Sequence, residues 1–192
     1  MFGQIQESTD PVAILETIWG ELAIGVETAQ HAFHTPALAI SGKDGPSVRT
    51  VVLRDADSRE RLLICHTDIR SPKVALLREM PLVQWLFYDR EQKTQLRISG
   101  NAKLHHGDSL AEQRWKASRP GSRACYVQPL GPGEILRDSA AEAGTIMDGY
   151  GNFVVLRSRV EMIDWLYLRA GGHLRLRFDW RDGQWHAQRI AP

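Results

Sequence analysis

The chain has 192 residues, 43% hydrophobic and 24% charged, with a formal net charge of +1. That is enough apolar material for one domain, 1–192, with a substantial core, and too little net charge to draw the surface as a whole to nucleic acid or an anionic membrane. No apolar run is long enough to span a bilayer, MFGQIQESTD lacks the parts of a secretory leader, and Cys65 and Cys125 cannot build a disulfide framework, so a cytoplasmic location is expected.

Asp10-Pro11 joins an N-cap carboxylate to a proline at the first helical position. Ile14, Leu15, Ile18, Trp19, Leu22 and Val26 then recur at helical spacing, which predicts an amphipathic helix over 11–31 packed on a sheet. His31 and His34 straddle its end, a poor setting for a metal, and no metal site is expected. Ala37 to Ser41 reads as a strand closed by the turn GKDGP.

Next come two predicted strands, Ser47 to Arg54 and Arg61 to Thr67, joined by a polar turn. Period-2 alternation sets Arg49 on one face with Val51 and Leu53. An arginine in that company is expensive to bury unless an anion meets it, whether an Asp or Glu side chain or a ligand. Arg70, Ser71 and Lys73 follow, with Ser71 placed to cap a helix to about Glu79. Backbone N–H groups at a helix start and clustered basic side chains together suit a phosphate.

Pro81 to Tyr88 and Lys93 to Leu104 read as strands, the second putting Gln95, Arg97 and Ser99 on one face and Leu96 and Ile98 on the other. A polar face in mid-sheet is either a solvated surface or a ligand face. Gly107-Asp108 starts a second helix through Ser118, and a Pro/Gly-rich loop follows, with a turn or two of helix expected around 140–147. The last third, 153–190, holds three strands: Phe153 to Leu168, long enough to require a bulge or bend, His173 to Trp180, and Gln184 to Ile190. Asp182-Gly183 is a hairpin turn signal between the last two. The whole fits a mainly β fold, a closed or half-closed barrel with flanking helices.

The order R-x-V-x-L-R, a short hairpin, then T-D-x-R-S-x-K and a helix resembles the flavin-binding region of the pyridoxamine 5′-phosphate oxidase family, and downstream segments fit it in sequence. That resemblance implies an FMN-binding split β-barrel, usually a homodimer with FMN at the interface, acting on a small-molecule substrate. It implies FMN contacts from Arg49, Thr50, Val51, Val52 and Arg54, from His66 and Thr67, and from Arg70, Ser71 and Lys73 around the phosphate. Pro72 stands where the family has an arginine, which Arg70 would replace. Gln95, in T-Q-L-R-I-S-G, matches a glutamine at the isoalloxazine edge. Trp165 and Arg177 match a tryptophan and an arginine near the flavin, with Tyr167 as the alternative to Trp165. WKASRPGS resembles the family's substrate-phosphate segment, giving Trp115, Arg119 and Ser122 as substrate contacts, with tryptophan in place of tyrosine. His173 and Arg175 stand where the family has an arginine and a histidine at the substrate, in swapped order. These departures weigh against vitamin B6 phosphate oxidation and favour a divergent FMN-dependent oxidoreductase, with no side chain assigned as general acid or base. The alternative is a non-enzymatic flavin- or haem-binding protein on the same barrel.

Overall fold

The computed structural model describes residues 2–42, 45–135 and 149–192; the turn of helix expected at 140–147 lies outside them. Helix α1 (Pro11–Glu27) begins as its sequence dictates, the Asp10 carboxylate accepting from the Val12 N–H. It stops at Thr28, short of His31, because the chain turns there into a 3-10 turn at Ala32–His34. The His31 ring contacts the buried Glu21 carboxylate at 3.0 Å, and His34 Nδ1 donates to the Gly25 carbonyl at 2.7 Å. Both histidines thus tie the helix end to its own body.

Among the described residues nine strands form one antiparallel sheet: β1 (Ala37–Gly42), β2 (Gly45–Thr50), β3 (Asp55–Asp57), β4 (Leu62–Asp68), β5 (Leu82–Asp89), β6 (Thr94–His105), β7 (Phe153–Tyr167), β8 (Leu174–Arg181) and β9 (Gln184–Arg189). Their order is β2-β1-β5-β6-β7-β4-β3, with β8 on the far half of β7 and β9 on β8. The long β7 serves two pairings: 153–159 lies between β4 and β6, and 162–167 between β6 and β8. The expected bulge lies between these halves, where the register jumps from Ser99 opposite Met162 to Gly100 opposite Val160. The sheet curls into a split β-barrel. Helices α2 (Pro72–Glu79), α3 (Ser109–Ala117) and the short α4 (Pro120–Arg123) flank it.

The expected strand from Ser47 to Arg54 is two pieces. β2 ends at Thr50 because the Val51 and Leu53 amides bond the Pro36 and His34 carbonyls, and only at Arg54 does the backbone join β4, through the Ile64 carbonyl. The sequence hairpin is therefore β3–β4, while β2 pairs with β1. The turn at 182–183 has positive φ at both Asp182 (51°) and Gly183 (77°), as a two-residue hairpin requires. The segment after Ser118, for which the sequence predicts no particular element, forms α4 and a 3-10 turn at Ala124–Tyr126.

The core includes Trp85, Phe87, Leu96, Ile98, Ile163, Leu176 and Phe178 inside the barrel and Ile14, Ile18 and Leu22 of α1 beneath it. Gly100 is fixed by the bulge: a Cβ there would lie 2.0 Å from the Arg159 carbonyl oxygen on a strand that cannot retreat. Gly100→Ala is expected to destabilise the fold by about 1–3 kcal/mol, read as a lowered midpoint in guanidinium unfolding.

Candidate functional site

Register places Arg49 opposite Leu38, Leu38 opposite Trp85, Trp85 opposite Ile98, and Ile98 opposite Ile163. Arg49 ends a row whose other members are apolar and fully buried. Its Nη1 is buried without a partner, and Nη2 donates to the neighbouring Ser47 hydroxyl. Beyond the row's end lies Lys73, in the first turn of α2. Its ammonium donates to Thr67 Oγ1 and Ser71 Oγ, each at 2.7 Å. Ser71 is the N-cap residue but makes no side-chain cap. Burial, and then the charge of Arg49, push the Lys73 pKa down. Among the described residues no carboxylate pairs with either cation. Two cations and two hydroxyls at the start of a helix, one donor unmet, form a cradle for a phosphate-sized anion.

Arg70 does not join it. Its Nε and Nη2 bond the Asp68 carboxylate at 2.9 and 2.7 Å, and its Nη1 donates to the Gln128 carbonyl at 2.8 Å. In this arrangement the Arg70 guanidinium, expected to stand in for the family's arginine, is held by Asp68 and the Gln128 carbonyl.

A second cluster lies on the opposite face of β4, since alternation turns His66 away from Thr67. His66, Arg54, Arg119 and Ser122 line a cleft of about 310 Å³ between α3, α4 and the end of α1. The His66 ring sits edge-on to Phe153, centroids 4.8 Å apart, with Nε2 buried and unpartnered. Burial first, then Arg54 and Arg114, push its pKa down to about 4, so the imidazole is neutral at pH 7. Arg114 is ion-paired to Asp55, whereas Arg54 and Arg119 have no partner among the described residues.

Trp115 belongs to the wall behind the cleft. It packs on Tyr126, Tyr150 and Phe153, and the Arg123 guanidinium lies 5.1 Å over its ring. The indole, expected as a substrate contact, packs on these rings and keeps partial exposure. Trp165 is fully buried, 6.0 Å from the Phe2 ring and 6.1 Å from Tyr167, so of these two alternatives Tyr167 alone keeps some exposure.

The remaining expected residues lie on the outer face of the sheet. Arg97 and Arg175 both bond Asp164, and Arg177 bonds Asp179. Gln95 stands beside them, opposite Tyr88 and Leu166. His173 is exposed in the β7–β8 turn. On the same outer face Val48, Leu82, Leu86 and Tyr88 are 40–63% exposed. Thr50 is exposed there too, while Val51 and Val52 are half-buried in the connection beyond β2. The protomer therefore joins Arg49 to Lys73 and Arg54 to Arg119, but leaves Gln95, Arg175 and Arg177 on a separate surface. Sequence reading missed Asp164, Asp179 and Arg114, whose roles depend on cross-strand or interhelical neighbours.

A curled split barrel with an anion cradle at a helix start suits a cofactor that carries a phosphate. Residues 19–106 match the family described as pyridoxamine 5′-phosphate oxidase, FMN-binding domain, a match that points to FMN as the cofactor. The chain is 27% identical over 171 residues to pyridoxine/pyridoxamine 5′-phosphate oxidase 2 of Arabidopsis thaliana, covering 81% of this chain and 86% of that protein. It is 27% identical over 187 residues to the pyridoxine/pyridoxamine 5′-phosphate oxidase of Synechocystis, covering 91% and 85%. Among solved structures it resembles a pyridoxamine 5′-phosphate oxidase-related, FMN-binding protein of Nostoc punctiforme, with a TM-score of 0.75, 24% identity and 96% and 100% of the two chains covered. PhzG of Burkholderia lata, solved with tetrahydrophenazine-1-carboxylic acid, gives 0.75 at 22% identity, covering 97% and 95%. Those two likenesses bear on the fold. The cradle fits FMN on its own chemistry, because a phosphate monoester supplies an acceptor for the unmet Arg49 Nη1 and negative charge for both cations.

A folded pKa for His66 below its unfolded value means that the unfolded chain binds more protons between pH 6.5 and about 4. Stability therefore falls as pH drops through that window, by on the order of 3 kcal/mol at most. Histidine ring NMR should report the depressed pKa, and His66→Phe should flatten that part of the pH–stability curve.

Proposed function

We propose that this protein is an FMN-dependent oxidoreductase that acts on a small-molecule substrate as a homodimer, with FMN held between subunits. The observation that carries the reading is the pair of cations, Arg49 and Lys73, that lack a carboxylate at the entry to α2. In this reading Arg49, Thr67, Ser71 and Lys73 hold the FMN phosphate, and the backbone at Thr50, Val51 and Val52 runs alongside the cofactor. Bound FMN supplies hydride transfer at its N5. The protein's part is to orient the ring, set the charge around it and limit water.

The homodimer is supported by the outer face. Val48, Leu82, Leu86 and Tyr88 are more apolar surface than a solvated strand face needs, and they adjoin Gln95 and Arg97. A second copy there would bring Gln95 and Arg177, which are remote from the cradle in one protomer, toward the cofactor of the other. His173 and Arg175 would reach a substrate by the same route.

Vitamin B6 phosphate oxidation is the second reading, favoured by the names of the curated relatives and by the meeting of Arg54, Arg119 and Ser122 in one cleft. Against it, Trp115 is packed into an aromatic cluster and offers no hydroxyl, and Arg175 is committed to Asp164. A bound phosphate short of one donor loses about 1–3 kcal/mol.

The purified protein is expected to be yellow with non-covalent FMN, identified by chromatography of the released chromophore; recovery of haem would favour the alternative function on this barrel. Arg49→Ala should weaken FMN binding by roughly 2–4 kcal/mol, measured by flavin fluorescence quenching, and Lys73→Ala by less, because the two hydroxyls remain. Light scattering should give a dimer. Pyridoxal phosphate formation from either vitamer under air should be slow or absent, and bleaching of the flavin by reduced nicotinamide would separate an enzyme from a passive carrier.

A further inference from the structure

The cleft on the far face of β4 carries a charge count that selects its ligand. Arg54, Arg119 and Glu27 line it, together with Arg114, whose charge is already met by Asp55. Three guanidiniums face two carboxylates, so these groups leave one positive charge for a ligand. The other polar groups are uncharged: the Ser118 and Ser122 hydroxyls and His66, kept neutral by burial and by Arg54 and Arg114. His34 has its Nδ1 donated to the Gly25 carbonyl.

A phosphate monoester carries close to two charges at neutral pH, its second pKa being about 6. In this cleft it would turn one surplus positive charge into one surplus negative charge beside Glu27. A carboxylate balances the site. It also matches the planar fork of a guanidinium, which Arg54 and Arg119 both present without a partner of their own. Room of about 310 Å³ suits a body of one ring with substituents rather than a long chain.

Building on the assignment of this cleft to the substrate, we infer that the substrate is a small monocarboxylate. Arg54 and Arg119 clamp its carboxylate, and His66 is a neutral hydrogen-bonding partner that sets specificity. His66 suits this role because it lines the cleft yet makes no hydrogen bond to any described residue, and Phe153 fixes its ring edge-on. A neutral imidazole adds a directional contact without adding the second positive charge that a phosphate would need.

The test is calorimetric titration of the protein as purified, at about pH 8 where phosphate is a dianion, with benzoate and with inorganic phosphate as probes. Benzoate should bind at least about tenfold tighter than phosphate, and Arg119→Ala or Arg54→Ala should weaken it about tenfold. Both arginines are exposed, so these variants keep the fold. His66→Phe should weaken benzoate roughly fivefold, and His66→Gln, which restores a neutral hydrogen-bonding group, should recover most of the loss. Phosphate binding as tightly as benzoate, no benzoate binding, or benzoate binding indifferent to all three positions would each overturn the inference. The visible spectrum of the same samples separates the two readings. Flavin present without benzoate binding removes the carboxylate site alone, whereas benzoate binding without flavin leaves that site standing and removes the FMN reading.

Discussion

Two positive charges without a carboxylate, held at the open end of the barrel, are what the arrangement of this site depends on. Arg49 is there because β1 and β2 pair in a register that sets it opposite Leu38, at the end of a row that is otherwise core. Lys73 is there because Pro72 starts α2 directly after β4, which brings the ammonium back to Thr67 and Ser71. Burial penalises both charges, and Arg49 adds to the penalty on Lys73. A fold that keeps such a pair has an anion to put between them, because a neighbouring Asp or Glu would otherwise be the simplest relief. Asp68 is close enough to raise the Lys73 pKa slightly, yet its carboxylate is spent on Arg70.

Strand alternation divides the work. Along β4, Cys65 and Thr67 face inward and His66 faces the helices, so one strand contributes to the cradle on one side and to the cleft on the other. Cys65 itself is inert: burial pushes its thiol up to about 12. The bulge in β7 has an analogous effect over a longer range. It lets one strand close the barrel through β4 and then extend past it with β8, carrying Asp164 opposite Arg177 on the outer face.

What could be read from the sequence was what depends on near neighbours. The Asp10-Pro11 helix start, the alternation of Gln95, Leu96 and Arg97, the length of the segment from Phe153 and the Asp182-Gly183 turn are all local signals, and each has its counterpart in the fold. The continuous strand expected from Ser47 to Arg54 was not local in this sense. Its composition is right for a strand, but loop carbonyls from residues 34 and 36 take the amides of Leu53 and Val51. At the candidate site, Arg49 and Lys73 could be found from sequence because a basic residue amid valines, and another at a helix start, are each informative alone. The fates of Trp115 and Trp165 were hidden, since each is decided by a partner distant in sequence, Tyr150 and Phe2, whereas Arg70 is held by Asp68 two residues away, a pairing that strand and helix patterning does not signal.

The net charge of +1 conceals a sorting of arginines that defines the functional surface. Arg70, Arg97, Arg114, Arg175 and Arg177 each bond a carboxylate of this chain, and their charge is consumed in holding strands and helices together. Arg49, Arg54 and Arg119 bond none among the described residues, and they face the cradle or the cleft rather than open solvent alone. A guanidinium already paired gains little from a ligand, because a new anion must compete with a carboxylate fixed in place. An unpaired one beside low-dielectric walls gains most. Anion binding by this protein therefore follows from which arginines were left unpaired, a property that neither composition nor total charge carries.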